Sequence, residues 1–256
     1  MSKVSEVFVA GGVPQVTYVQ RDGLRLEERL ATALEDKFQV ICITGPTKSG
    51  KSVLCKRVLT GRSSLWVQGG QIDNVDEFWR AAAETLDLPV EVLESSSSTS
   101  SGGFNAGVKG ERGTSEGKQE KRVVSPKLAV LSRCKSIDAC LVVDDFHYMS
   151  ADTQERVIRA LKAEIFDGLA VVLIAVPHRA FDAISVEPEM QGRFIHIEIP
   201  SWDEGELKGI GAKGFPELHL NIGDSHIVEI ARESHRSPIL MQRICNNLCR
   251  VFSISE

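Results

Sequence analysis

No stretch of the 256-residue chain approaches the roughly 18 consecutive apolar residues that a membrane span requires. Its first residues, Met1 to Glu6, lack the apolar segment of a secretion signal. A membrane role is therefore not expected, and the expected location is the cytoplasm. A basic surplus is also missing: Lys and Arg number 30 against 35 Asp and Glu, for a net charge of −5. Bulk charge thus gives no support to non-specific nucleic-acid binding, and only a local basic patch could provide it. The six cysteines, Cys42, Cys55, Cys134, Cys140, Cys245 and Cys249, form no C-x-x-C pair and have no histidine at zinc spacing. They are expected to be reduced thiols used as small apolar residues. What remains is ordinary for a globular chain: 42% hydrophobic and 25% charged residues, enough for one large α/β domain with a small appendage.

One stretch organises the rest. A β-branched run at residues 38–44 leads directly into Gly45, Pro46, Thr47, Lys48, Ser49, Gly50, Lys51 and Ser52, the pattern G-x-x-x-x-G-K-S of a phosphate-binding loop. Glycines at 45 and 50 let the backbone curl until successive N–H groups point inward at phosphate oxygens. Lys51 reaches the β- and γ-phosphates, and the Ser52 hydroxyl is a ligand for Mg²⁺. A helix beginning near Lys51 and running on through Val53 adds its positive end to the same anion site, so residues 45–53 form the expected nucleotide-binding set. The bland alternative is a glycine-rich loop without nucleotide. A second apolar run, residues 139–143, ends in Asp144 and Asp145. As a buried strand it carries Asp144 to the sheet edge beside the loop, to hold the Mg²⁺ shell, and Asp145 to polarise an attacking water. The alternative is a helix-initiating Asp pair after an ordinary core strand.

Residues 1–20 read as an arm that holds short extended pieces at 7–14 and 16–19, punctuated by Gly and Pro. Leu26, Leu30, Ala33 and Leu34 then recur at helical spacing. Residues 18–21, from Tyr18 to Arg21, are candidates for a base pocket or for plain core packing. A strand at 64–68 precedes a helical face made by Val75, Phe78, Trp79, Ala82 and Leu86. From residue 94 to 121 the composition turns to Ser, Gly, Lys, Glu and Arg, with Phe104 the single aromatic. Such a segment buries too little apolar surface to offset its ordering entropy, so a mobile surface insertion is expected. Its alternative is a loop that orders on a partner or DNA through Lys109, Arg112, Lys118, Lys121 and Arg122. Further on come a helix at 126–134, a capping box at Asp152 and Glu155, a strand at 169–176 followed by Pro177, His178 and Arg179, and a strand at 195–199. Strands alternating with helices specify a parallel five-stranded sheet in three α/β/α layers, the P-loop NTPase fold, with its ligand at the C-terminal edge. From Ser201, with Glu204 in capping position, only helical signal follows. The expected domains are a core at 1–200 and a small helical lid at 201–256.

With these motifs in this order, the chain resembles the AAA+ superfamily and its signalling relatives, the STAND ATPases, over nearly its whole length apart from the insertion. The resemblance implies ATP and Mg²⁺ as ligands and Arg179 as the polar sensor after the fourth strand, with His178 as the alternative. It implies Arg193 as an arginine finger before the last strand, against the alternative of a surface pair with Glu187 or Glu189. Pro238 corresponds to a lid turn that touches adenine, although Arg236 stands where glycine is usual. No G-x-x-R sensor is present in the lid, and Arg243 is out of register for that role. Asp145 replaces the Glu of fast motors, which implies slow hydrolysis. No nuclease, protease, TIR-like or helix-turn-helix pattern is visible. The implied role is therefore a regulatory ATPase whose nucleotide state sets homo-oligomer assembly or the binding of a separate effector protein. One rival is a DNA-associated ATPase of the transposition or replication-loader type. A small-molecule kinase is disfavoured by the Asp-Asp pair and the C-terminal helices.

Overall fold

The computed structural model describes residues 2–88, 125–176, 190 and 192–252. The expected insertion at 94–121 and the sensor candidates His178 and Arg179 lie outside the described residues. Five strands, β1 (Val40–Thr44), β2 (Ser64–Gln68), β3 (Cys140–Asp144), β4 (Val171–Ala175) and β5 (Phe194–Glu198), form one sheet in the order β2-β3-β4-β1-β5. Every pairing is parallel. The helices, in chain order, are α1 (Val4–Val7), α2 (Leu26–Asp36), α3 (Lys51–Val58), α4 (Val75–Thr85), α5 (Pro126–Ser136), α6 (Ala151–Phe166), α7 (Glu204–Glu217), α8 (Asp224–Glu233) and α9 (Pro238–Val251).

The three layers follow from strand periodicity. Ile41, Ile43, Val142, Val172 and Ile174 point to one face, where Leu30 and Leu34 of α2 and Leu54 of α3 cover them. Val40, Cys42, Leu141, Val143, Val171 and Leu173 point to the other, against Phe78, Val130 and Leu161 of α4, α5 and α6. Because β1 and β4 are buried at every position, they read as unbroken apolar runs. Each fully buried aliphatic side chain contributes roughly 1.5–3 kcal/mol. β1 starts at Val40 rather than at residue 38, since Lys37 and Phe38 both have positive φ and cannot extend the ladder. All six cysteines are free and buried; burial pushes the Cys42 thiol up to about 12, which suits an inert apolar filler.

Two helix starts fall away from the expected positions. α6 is capped by Ser150, whose hydroxyl accepts the Thr153 N–H, two residues before the expected Asp152. The capping box of α7 is formed by Asp203 and Glu206, not Ser201 and Glu204, because residues 200 and 201 are tied down by Arg21. Its guanidinium donates to the Pro200 carbonyl at 2.9 Å and the Ser201 carbonyl at 3.1 Å.

The N-terminal arm differs most from its expected form. Residues 4–7, at the front of the expected extended pieces, form a helical turn, and Val4, Val7 and Phe8 are buried in the core of the C-terminal helices among Leu207, Ile210, Phe215, Met241 and Cys245. Polar side chains of α9 clasp the arm: Gln242 Oε1 accepts from the Val9 N–H at 3.1 Å, and Asn246 donates to the Phe8 carbonyl at 3.0 Å. Close approach depends on Gly214 of α7, where a Cβ would stand 2.3 Å from Phe8 Cε1. We propose a division near residue 200 into an α/β core and a helical unit on which the arm docks. Gly214→Ala should therefore destabilise the protein by about 1–3 kcal/mol, the scale of overpacking. Urea unfolding checks this, and unchanged stability would mean that the arm does not occupy this groove.

Candidate nucleotide-binding site

β1 delivers the chain to Gly45, where a Cβ would fall 2.4 Å from the Ile199 carbonyl oxygen, so only glycine fits beside the end of β5. The loop turns through Lys48 at φ 64° and Gly50 at φ 98°, and α3 opens at Lys51 without a side-chain cap on its first N–H groups. That leaves the positive end of the helix directed at the loop. Lys51 is buried, and its ammonium donates to the carbonyls of Gly45 at 2.9 Å and Pro46 at 2.8 Å. Burial pushes its pKa down, while Asp144 and Asp145 push it back up.

The two carboxylates stand at the end of β3. Asp144 Oδ1 accepts the Asp145 N–H at 3.0 Å, and Asp145 itself takes a left-handed conformation. Gly69, following β2, lets the backbone pass close behind them, since a Cβ there would stand 2.6 Å from the Asp145 carbonyl oxygen. Buried Gln154 of α6 locks the turn by donating to the carbonyls of Phe146 and Met149. Underneath the loop, Thr44 shares a 2.6 Å hydrogen bond with His196 of β5.

A cavity of about 290 Å³ joins these parts. Thr47, Lys48, Ser49, Gly50, Lys51, Ser52 and Val53 line it, and so do Asp144, Asp145 and Pro238. Gly45 and Pro46 shape the loop from behind, through the carbonyls that hold Lys51. Tyr18, Val19 and Arg21 of the arm are also in the wall. Tyr18 is fixed there by a hydrogen bond from its hydroxyl to Glu27 and by the Arg57 guanidinium 4.1 Å over its ring. Burial, with Glu27 second, pushes the phenol pKa up. Arg21 is a structural clamp: beyond its two carbonyl contacts it pairs with Glu206 at 2.7 Å and lies over the Trp202 ring.

Arg193 does not join this group. It is exposed and precedes β5 at the opposite edge of the sheet, where its carbonyl accepts the Val40 N–H and its guanidinium lies 4.2 Å over the Phe166 ring. Arg236 adopts φ 61° just before α9, a left-handed backbone that glycine would take without strain. Three residues of the site were not legible in advance. These are Arg21 as a clamp, Gln242, and Trp202, whose indole donates to the Ser49 carbonyl at 2.8 Å. Only the position of Trp202 straight after the last strand could have hinted at its contact.

Comparisons with known proteins bear on the family and the fold. The chain matches the family described as AAA domain over residues 35–182, more than half its length, and it belongs to that family of AAA+ P-loop ATPases. A comparison with curated proteins finds no match. Among solved structures, the chain is similar to Cdc6p from Pyrobaculum aerophilum, at 13% identity and TM-score 0.61, covering 97% of this chain and 66% of that one. It is similar to the Aeropyrum pernix ORC2 protein in its ADP form, at 15% identity and TM-score 0.61, covering 97% and 68%. A third is the Thermotoga maritima RuvB Holliday junction branch migration motor, at 16% identity and TM-score 0.55, covering 92% and 64%. The chain thus spans just under two thirds of the length of Cdc6p and RuvB. At these identities the likeness concerns the fold.

The buried ammonium of Lys51 provides the most direct check on the site. Lys51→Ala removes a charge-assisted contact of ~1.5–3 kcal/mol, so ATP affinity by calorimetry should fall on the order of tenfold or more. Unchanged affinity in the folded variant would overturn the site.

Proposed function

We propose that this chain is an ATP-binding, slowly hydrolysing AAA+ switch of the STAND type, whose nucleotide state controls homo-oligomer assembly or the binding of a separate effector protein. The observation that carries this reading is the shared wall of the cavity: phosphate loop, paired carboxylates, N-terminal arm and the first residues of α9 all border it. A nucleotide seated there touches both the α/β core and the helical unit, so its γ-phosphate can bias how the two are held.

In this reading Lys51 and the loop N–H groups bind the phosphates, and Tyr18, Val19 and Pro238 flank the base. Ser52 and Asp144 supply hard oxygen donors on the same cavity, a donor set that suits Mg²⁺; bound there, Mg²⁺ offsets charge on the phosphate oxygens. Among the described residues no cluster of three or more His, Cys, Asp or Glu forms a metal site, and a Mg²⁺ held by two side chains, phosphate and water needs none. Asp145 orients the attacking water and draws on its proton. Its side chain is one methylene shorter than Glu, which fits slow turnover. Arg179 is kept as the sensor following β4. Arg193 acts in trans: exposed at the far edge of the sheet, it cannot serve its own cavity but can be presented to a neighbour's γ-phosphate. Buried, free cysteines fit a reducing cytoplasm, and no described helix is long and apolar enough to cross a membrane.

A second reading, a DNA-associated ATPase, is favoured by the likeness to the RuvB branch migration motor. The net charge of −5 opposes bulk attraction to DNA, so that reading requires salt-sensitive DNA binding that appears only with ATP.

Two measurements test the switch. Turnover per protomer should rise with protein concentration, and Arg193→Ala should abolish the rise while leaving ATP affinity intact. Native mass should increase with a slow ATP analogue relative to ADP. A monomer under both nucleotides, with turnover flat in concentration, would overturn assembly in trans. In the same assays Asp145→Asn should retain Mg-ATP binding and lose turnover, whereas Asp144→Asn should weaken the dependence on Mg²⁺. Equal loss of binding in both variants would contradict the division of roles.

A further inference from the structure

We infer that Trp202 is a positioning residue for the phosphate cradle, through which the first turn of α7 sets the orientation of the Gly50 N–H. The inference rests on the reading of residues 45–53 as a nucleotide site and adds a residue outside that loop which shapes it.

The argument starts from a single peptide plane. The Trp202 indole N–H donates to the Ser49 carbonyl at 2.8 Å, and a buried indole N–H needs such a partner. That carbonyl belongs to the peptide joining Ser49 to Gly50, and no described peptide is cis. In a planar trans peptide the C=O and N–H point in opposite directions. By drawing the Ser49 oxygen to its own side, Trp202 turns the Gly50 N–H away from itself. Gly50 has the rotational freedom for this, since it sits at φ 98° as the N-cap of α3. The Gly50 N–H thereby has a fixed direction at the mouth of α3, next to Lys51.

Trp202 is held in turn. The Arg21 guanidinium lies 5.0 Å from the centre of its ring and is fastened to Glu206 Oε1 at 2.7 Å. Glu206 is the reciprocal residue of the α7 capping box: its second oxygen accepts the Asp203 N–H at 2.9 Å. A shift of the α7 N-terminus relative to the core therefore displaces Arg21 and Trp202 together and rotates the Ser49–Gly50 peptide. The reverse also holds, so that a phosphate bound to the Gly50 N–H favours the α7 position seen here.

The test uses the whole chain and ADP as the probe, in calorimetric titrations of four variants. Trp202→Phe keeps an aromatic face for Arg21 and removes only the donor; ADP affinity should fall roughly 3- to 10-fold, the scale of one neutral hydrogen bond. Glu206→Gln should weaken ADP by about twofold to threefold through the looser Arg21, and should have no further effect in the Trp202→Phe background, since both act on one peptide. Wild-type ADP affinity in Trp202→Phe, or full additivity of the two substitutions, overturns the inference. If Trp202→Phe does not fold, Glu206→Gln decides: weakened ADP binding supports the relay and unchanged binding overturns it. Lys51→Ala separates the two levels. A loss of ADP affinity there with none in Trp202→Phe rejects the relay alone, whereas no loss in either rejects the nucleotide site itself.

Discussion

An ammonium withdrawn from water must be compensated where it stands, and Lys51 is the buried cation around which the rest of this structure is placed. Two loop carbonyls accept its protons, and the carboxylates of Asp144 and Asp145 oppose the loss of charge that burial alone would cause. Those partners come from elements far apart in sequence. Their meeting requires a parallel sheet in which β1 and β3, separated by β4, both end at one edge. The strand order also puts β5 against the other side of β1, so the chain leaves the sheet beside the phosphate loop. Gly45 allows that exit to pass within contact of the loop.

From that exit the helical unit gains its connection to the site. Arg21, Trp202 and Glu206 form a chain of contacts from the arm, through the linker, to the first turn of α7. The arm is packed into the core of α7 and α9 by Phe8, with Gln242 and Asn246 as polar clasps. The arm thus shares one packed core with α7 and α9, and residues of the arm, the phosphate loop, Trp202 and the start of α9 all line the cavity. Arg193 remains on the outside, at the opposite sheet edge.

Much of this was readable from residue patterns. All five strands are legible in the apolar runs, and G-x-x-x-x-G-K-S and the Asp-Asp pair mark segments that the fold brings to one cavity, because strand burial and phosphate binding impose local patterns. Boundaries shifted where backbone conformation overrode composition. Phe38 has the composition of a strand start but positive φ, as does Lys37 before it, and Ser201 resembles a cap yet its carbonyl is held by Arg21. The helical turn at residues 4–7 has no sequence signature, because four residues of helix carry too little periodicity to reveal one turn. Its docking site depended on Gly214, whose value is the absence of a side chain opposite Phe8. The contact of Arg21 with Trp202 is not legible in the sequence, because a cation over a ring joining residues 181 positions apart leaves no spacing signature in the chain.

The central claim is that nucleotide is held between the core and the packed body of arm and lid. Amide hydrogen exchange with and without a slow ATP analogue tests it most directly. The account predicts slower exchange in residues 4–21 and in α7 and α9 as well as in residues 45–53, since a ligand in the seam suppresses opening of both sides. Protection confined to residues 45–53 and 144–145, with arm and lid exchanging as they do without nucleotide, would contradict it.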